Sequence, residues 1–205
     1  MVERRRASAI GGSNELFIPG DGMPRIQDIA PDELDAEQKR VCDAIVSGPR
    51  GVVQGPLRVW LHSPQLADRA QALGAFCRYG TGLEQRLSEL AILVTGAYWK
   101  AGFEWHVHAP IAVEAGLDPL VVEALRRGEP PRFSHADEAA VYTFARELLT
   151  SRCVSNETYA QVERALGPRN IVELVGILGY YALISMTIVA FELAVPPGIP
   201  DPFEN

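Results

Sequence analysis

Paired cysteines are missing from this chain. Its three, Cys42, Cys77 and Cys153, stand far apart, are odd in number and form no CxxC. That pattern argues against a disulfide framework and sets the expectation of a reduced, cytoplasmic protein. Basic clusters are nearly absent as well. The one run, Arg4–Arg6, lies at the N-terminus of a chain whose net charge is −7 and whose pI is near 5.1. Sequence-independent nucleic-acid binding needs basic stripes, so no nucleic-acid partner is expected. No apolar segment follows those arginines, since Ser8–Gly12 is small and polar, and no secretory signal is read. Strand alternation, hairpin dipeptides between β-branched runs and convincing internal repeats are lacking too. What remains is helical periodicity in a chain of 205 residues, 47% hydrophobic and 22% charged, enough to bury a substantial core. The expectation is an all-α fold of about eight helices.

Punctuation by glycine, proline and capping residues divides the chain. Residues 1–30 read as an irregular arm, with Gly11-Gly12, Pro19-Gly20, Gly22 and Pro24; its Leu16, Phe17 and Ile18 can dock on the body or on a neighbouring subunit. Residues 31–205 form the helical body. Pro31-Asp32-Glu33-Leu34 reads as a helix start, running to Ser47 before Gly48-Pro49. Leu57–His62 is a short apolar turn or helix. Ser63-Pro64 starts a helix that closes at Gly80. Glu84–Lys100 shows a helical stripe of Leu87, Leu90, Ala91, Val94 and Tyr98, broken at Gly102. Phe103–Ala115 follows, with Gly116 as a C-cap. Asp118–Arg127 is short and amphipathic. Ser134, with Asp137 behind it, caps a helix to about Thr150, and Ser155 caps the next. Gly167-Pro168 separates that helix from the last, about Arg169–Leu193.

One uncharged run stands out. Leu174–Phe191 spans 18 residues without a charge, the threshold length for a membrane span. Glu173 and Glu192 bracket it without basic anchors, and Gly176, Gly179, Tyr180, Tyr181, Ser185 and Thr187 dilute it. A helix apolar all round is a buried central helix, here expected to be covered in part by an oligomeric partner. No membrane association is expected.

The titratable chemistry concentrates in Leu87–Gly116. Glu104 and His108 are four residues apart, hence one turn apart on one helical face. A carboxylate and an imidazole so placed can share a proton, orient each other or bind a common ligand. Glu89, on the preceding helix, either faces the same site or neutralises Arg86 or Lys100. Pro110 removes the hydrogen bond that the carbonyl of His106 would accept. His106 itself points away from both partners, and two ligands fall short of a zinc set. No metal is therefore expected. Arg58, Arg78 and Arg86 are candidates to clamp a substrate carboxylate, since a guanidinium binds one bidentately; each can equally serve a surface ion pair. Trp105 is a pocket wall or plain core. His62 ends the Leu57–His62 turn and is open between a substrate contact and the surface. Tyr180 and Tyr181 are core, with one hydroxyl able to reach the site. His135, beside a helix cap, is expected to be exposed.

The stretch RLSELAILVTGAYWKAGFEWHVHAPIAVEAGL resembles the carboxymuconolactone decarboxylase family, which belongs with the alkylhydroperoxidase D-like (AhpD-like) all-α fold. The likeness extends through GPLRVWLHSPQLADRAQALGAFCRYGT before it, and ADEAAVYTFARELL and ELVGILGYYALISMTIVAFEL after it, over residues 31–197. Peroxidase members carry CxxC, a histidine four residues on, and a glutamate on the preceding helix. The histidine corresponds to His108 and the glutamate to Glu89, but Ala101 and Glu104 occupy the cysteine positions. A peroxidatic cycle needs a thiolate and a resolving thiol, so thiol peroxidase activity by that route is not expected. Glu104, Trp105 and His108 look instead like the decarboxylase branch. The resemblance implies a cofactor-free lyase on a small lactone or cyclic carboxylic acid, working through His108, Glu104 and Glu89. It also implies a homo-oligomer, a trimer or a hexamer. Isomerase, cyclase or hydrolase chemistry on the same pair, or a non-catalytic small-molecule-binding oligomer, are the alternatives.

Overall fold

The computed structural model describes residues 17–18 and 25–204. Arg4–Arg6, Gly11-Gly12 and Leu16 lie outside the described residues. Eight helices and one two-residue ladder make up the described fold. They are β1 (Phe17–Ile18), α1 (Ala36–Ser47), β2 (Val53–Gln54), α2 (Pro56–Trp60), α3 (Pro64–Tyr79), α4 (Gln85–Trp99), α5 (Gly102–Glu114), α6 (Pro119–Arg127), α7 (Ala136–Ser151) and α8 (Asn156–Phe191). Apart from that ladder the described fold is all-α.

Helix α4 is the axis of the molecule. From Leu87 to Gly96 every residue is buried, and α5, α7 and α8 pack around it. A helix apolar on all faces has only a central place open to it. The expected Leu87–Val94 stripe is thus only part of the buried surface, and Tyr98 ends half exposed.

Several boundaries differ from the sequence reading, each for a local reason. Pro31–Glu33 forms a turn rather than a helix start, with the Glu33 N–H bonded to the Ala30 carbonyl. Helix α1 waits for Asp35, whose carboxylate accepts from the N–H groups of Glu37 and Gln38, both at 2.8 Å, while Gln38 accepts from the Asp35 N–H at 2.9 Å. This reciprocal box satisfies otherwise orphaned donors. At α3, Ser63 contributes no side-chain cap; the pre-set φ of Pro64 starts the helix instead. The break between α4 and α5 is made by Lys100, left-handed at φ 52°, while Gly102 opens α5. Ser134 does not cap α7. The cap position belongs to His135, and Asp137 turns to Arg86. Ser155 caps α8 as expected, accepting from the Thr158 N–H.

The last two expected helices do meet at Gly167-Pro168, where α8 kinks and the backbone leaves helical geometry. Gly167 sits at φ 73°, ψ 166°, a conformation open essentially to glycine alone, and Pro168 begins the second half. That half turns Leu174, Ile177, Tyr181 and Ile184 inward, while Val172, Val175, Met186 and Val189 face out. Among the described residues α8 is the one helix long and apolar enough to cross a membrane, and half of its apolar window is buried inside the molecule.

The all-α reading had no strand; β1 and β2 nevertheless pair in parallel, Phe17 opposite Val53 and Ile18 opposite Gln54. The end of the arm is fastened down as well. Arg25 donates its backbone N–H to Phe191 and its guanidinium to the Ala190 carbonyl, and it pairs with Glu192.

Candidate active site

Helices α4 and α5 run into each other through one tight turn, and this places their acids and imidazole in contact. His108 presents Nδ1 to Glu89 Oε2 at 2.7 Å and Nε2 to Glu104 Oε1 at 2.9 Å. The three side chains are almost sealed from water, with residue exposures of 2% for Glu89, 6% for Glu104 and 2% for His108. Both ring nitrogens thus face carboxylate oxygens. Only the doubly protonated ring can donate to both. Burial pulls the imidazole toward neutrality, but Glu104 and Glu89 outweigh it and lift its pKa to about 9. His108 is therefore a cation at neutral pH, held between two acids.

Helix α8 closes the site from above. The Tyr181 ring stands at 85° to the imidazole, 5.2 Å between centroids, and Tyr180 meets Tyr181 edge-on at 5.2 Å. Trp60 of α2 backs Tyr180 and donates its indole N–H to Thr187 at 3.0 Å. Burial pushes both phenols up, Tyr180 to about 12, so they stay neutral. The Tyr180 hydroxyl accepts from Arg50 Nη2 at 3.1 Å.

A cavity of about 30 Å³ opens onto this centre, lined by Arg50, Arg78, Glu104, His108, Tyr180 and Tyr181 among others. Larger clefts of about 530, 590 and 500 Å³ lie elsewhere, and none of them is lined by any of the three titrating residues. The small cavity is the one that the buried acids and imidazole face. Among the described residues no group of three or more metal-ligating side chains is placed to hold an ion.

The structure brings together some of the sequence candidates and separates others. Glu89, Glu104, His108, Arg78 and Tyr180 converge. Arg58 and Arg86 do not line the cavity. Arg58 pairs with Asp28 at the end of the arm. Arg86 ties α4 to α7 through Glu138 at 2.5 Å and Asp137 at 2.7 Å. Glu89 thus pairs with His108 rather than with Arg86. His62 is exposed and contacts the Gln27 carbonyl at 2.9 Å. Trp105 packs against Phe203 of the C-terminal segment, centroids 5.3 Å apart, and does not wall the cavity. His106 is half-buried and His135 exposed. Arg50 and Gln54 also line the cavity, and the sequence reading missed both, while it named Tyr181 only alongside Tyr180. Arg50 and Gln54 sit in a loop and a two-residue strand without periodicity, so no pattern marked them. Tyr181 was visible only as one of two adjacent tyrosines.

No protein-family model matches the chain, and no curated protein matches it in sequence. Among solved structures it is similar to an uncharacterized peroxidase-related protein from Silicibacter sp. TM1040, with a TM-score of 0.65 and 16% identity. That match covers 85% of this chain and 94% of the other. At that identity the likeness speaks for the fold: an all-α, AhpD-like bundle.

Proposed function

We propose that this protein is a cofactor-free acid/base enzyme of the AhpD-like superfamily, a lyase resembling carboxymuconolactone decarboxylase that acts on a small carboxylated compound. The observation that supports it is the continuous Glu89–His108–Glu104 chain ending on a cavity that also holds two arginines.

The order of the chain assigns the roles. Both His108 nitrogens are occupied by carboxylates, so Glu104, with its second oxygen uncommitted to the imidazole, meets the substrate. As CO₂ leaves, the C–C bonding pair passes to the substrate and rests on an oxygen. Glu104, protonated across the 2.9 Å contact from His108, gives its proton to the carbanionic carbon. His108 is neutral at that moment and recovers its proton by way of the cavity that it lines. Glu89 holds the ring orientation through Nδ1. General acid catalysis of this kind contributes roughly 10²–10⁴ in rate.

A thiol route has less support. Ala101 and Glu104 stand where a thiol pair would be, and burial pushes the nearby Cys77 thiol up to about 11, far from a nucleophilic thiolate at neutral pH. A homo-oligomer, trimer or hexamer, is part of the proposal. Phe76 and Tyr79 on α3 and Val172, Val175, Met186 and Val189 on α8 are large apolar side chains left exposed, and it is apolar surface of this kind that interaction sites cover. We place the protein in the cytoplasm, with α8 as a core helix.

The test is a screen of lactone carboxylates and other small organic acids with CO₂ detection, comparing wild type with Glu104→Gln. Wild type releases CO₂ from a member of the set, and the variant is slower by roughly 10²–10⁴. Full turnover in Glu104→Gln rejects the mechanism. Isomerisation without CO₂ transfers the same relay to proton shuttling.

A further inference from the structure

Arg50 enters the site from the Gly48–Gly51 loop, outside every helix. Its Nη2 donates to the Tyr180 hydroxyl at 3.1 Å. Its Nε is buried and has no hydrogen-bond partner among the described residues. A buried guanidinium N–H left unsatisfied carries a desolvation cost that a bound acceptor would relieve. Space for that guanidinium is reserved. A Cβ on Gly74 would collide with both the Tyr180 hydroxyl and Arg50 Nη2, so a side chain at position 74 would displace this pair. Tyr180, accepting from Arg50, keeps its own O–H to donate.

The charges point the same way. Arg50, Arg78 and His108 line the cavity beside a single acid, Glu104. Its volume, about 30 Å³, leaves room for one or two waters.

We propose that Arg50, seated over Gly74 and braced by Tyr180, is the specificity residue that clamps a carboxylate group of the substrate. The proposal deepens the acid/base reading and rests on it for the reaction. If that reaction is decarboxylation, the clamped group is the carboxylate the substrate keeps, because a guanidinium on the departing one would oppose its loss. The substrate class is then a dicarboxylate, and the product is still an acid.

The experiment is equilibrium binding of acetate to the full-length protein at fixed ionic strength, read by thermal unfolding, with neutral acetamide as the control. Acetate at ten times its Kd favours the native state by about 11-fold; acetamide does not. Arg50→Gln and Gly74→Ala each weaken acetate binding about ten-fold or more, and Arg50→Lys weakens it less than Arg50→Gln does. Circular dichroism confirms the fold of each variant, and Arg50→Lys is decisive if Arg50→Gln does not fold, by binding acetate more weakly than wild type. Unchanged acetate binding in the folded arginine variant overturns the proposal, as does an equal response to acetamide. Loss of turnover in Glu104→Gln with acetate binding intact upholds Arg50. Full turnover in Glu104→Gln alongside an acetate defect in Arg50→Gln rejects the acid/base chain and leaves the clamp standing.

Discussion

Glu89 and His108 lie nineteen positions apart in the chain and 2.7 Å apart in the fold. Neither is reachable by water to any useful degree, so each depends on the other for its charge. With Glu104 on the opposite nitrogen, the imidazolium is, among the described residues, the one counter-charge in contact with two buried acids.

Removing it is expected to be severe for stability. His108→Leu leaves two carboxylates buried without their cation, and truncating one side of a buried ion pair costs about 3–5 kcal/mol. The triple variant His108→Leu, Glu89→Gln, Glu104→Gln recovers most of that loss, because no charge is left behind. Urea unfolding at neutral pH measures both. A single variant within about 1 kcal/mol of wild type, well short of the buried-pair cost, would show the acids to be solvated after all.

Stability should also fall with alkalinity. His108 has its pKa raised from 6.5 to about 9 in the folded protein. A group raised on folding stabilises fully below its unfolded value and ceases to do so above its folded one. The contribution, ~3 kcal/mol from a shift of this size, is therefore present at pH 6, declines between pH 6.5 and 9, and is gone by pH 10. Urea titrations at pH 6 and pH 10 should show wild type losing that increment and His108→Gln not losing it. Parallel losses in both proteins would assign the alkaline decline to other groups.

Arg86 is expected to matter for the fold and not for the site. Its guanidinium holds Asp137 below the usual carboxylate range and meets the buried Glu138 at 2.5 Å. Arg86→Met strands Glu138, costing about 3–5 kcal/mol, which in a chain of this size lowers Tm by roughly 10 °C. Arg86→Lys recovers part, because an ammonium cannot serve both carboxylates as a planar fork does. Calorimetry reads the shift; an unmoved Tm in Arg86→Met would contradict the strapping of α4 to α7.

The three thiols should separate cleanly. Cys153 is exposed, while Cys42 and Cys77 are buried, with their pKa values pushed up by that burial. In native protein a colourless disulfide reagent such as DTNB should react quickly with one thiol per chain, and with the other two only on unfolding. Cys153→Ser should abolish the fast phase. Fast labelling of Cys77 would mean that the site opens far more than its packing suggests.

What could be read in advance was local. Ser63-Pro64 and Gly80 bracket α3 at Pro64–Tyr79 because proline and glycine act on their own backbone. Glu104 and His108 declared a shared face because helix geometry is periodic. The last helix was legible as a core element from the glutamates at its ends and the polar residues within it. Long-range pairing was not legible. Arg58, Arg78 and Arg86 look alike in sequence, and only the fold shows Asp28 against the first, Asp137 and Glu138 against the third, and Arg78 at the cavity. Arg50 sits in a Gly-Pro-flanked loop whose position depends on the packing of α1, α3 and α8 around it. Trp105 met Phe203, almost a hundred positions later, across a C-terminal segment with no pattern of its own.

The bend at Gly167-Pro168 lies inside a helix that begins only at Asn156, so the roof of the centre, Tyr180 and Tyr181, is synthesised after every other part of it. Cut the gene at the exposed turn between α7 and α8, and one fragment holds the acids, the imidazole and both arginines, while the other holds only their cover. Neither half can keep the imidazolium dry. Such a pair forms a split reporter, in which reassociation of the fragments, and nothing short of it, restores the buried charge and its alkaline titration.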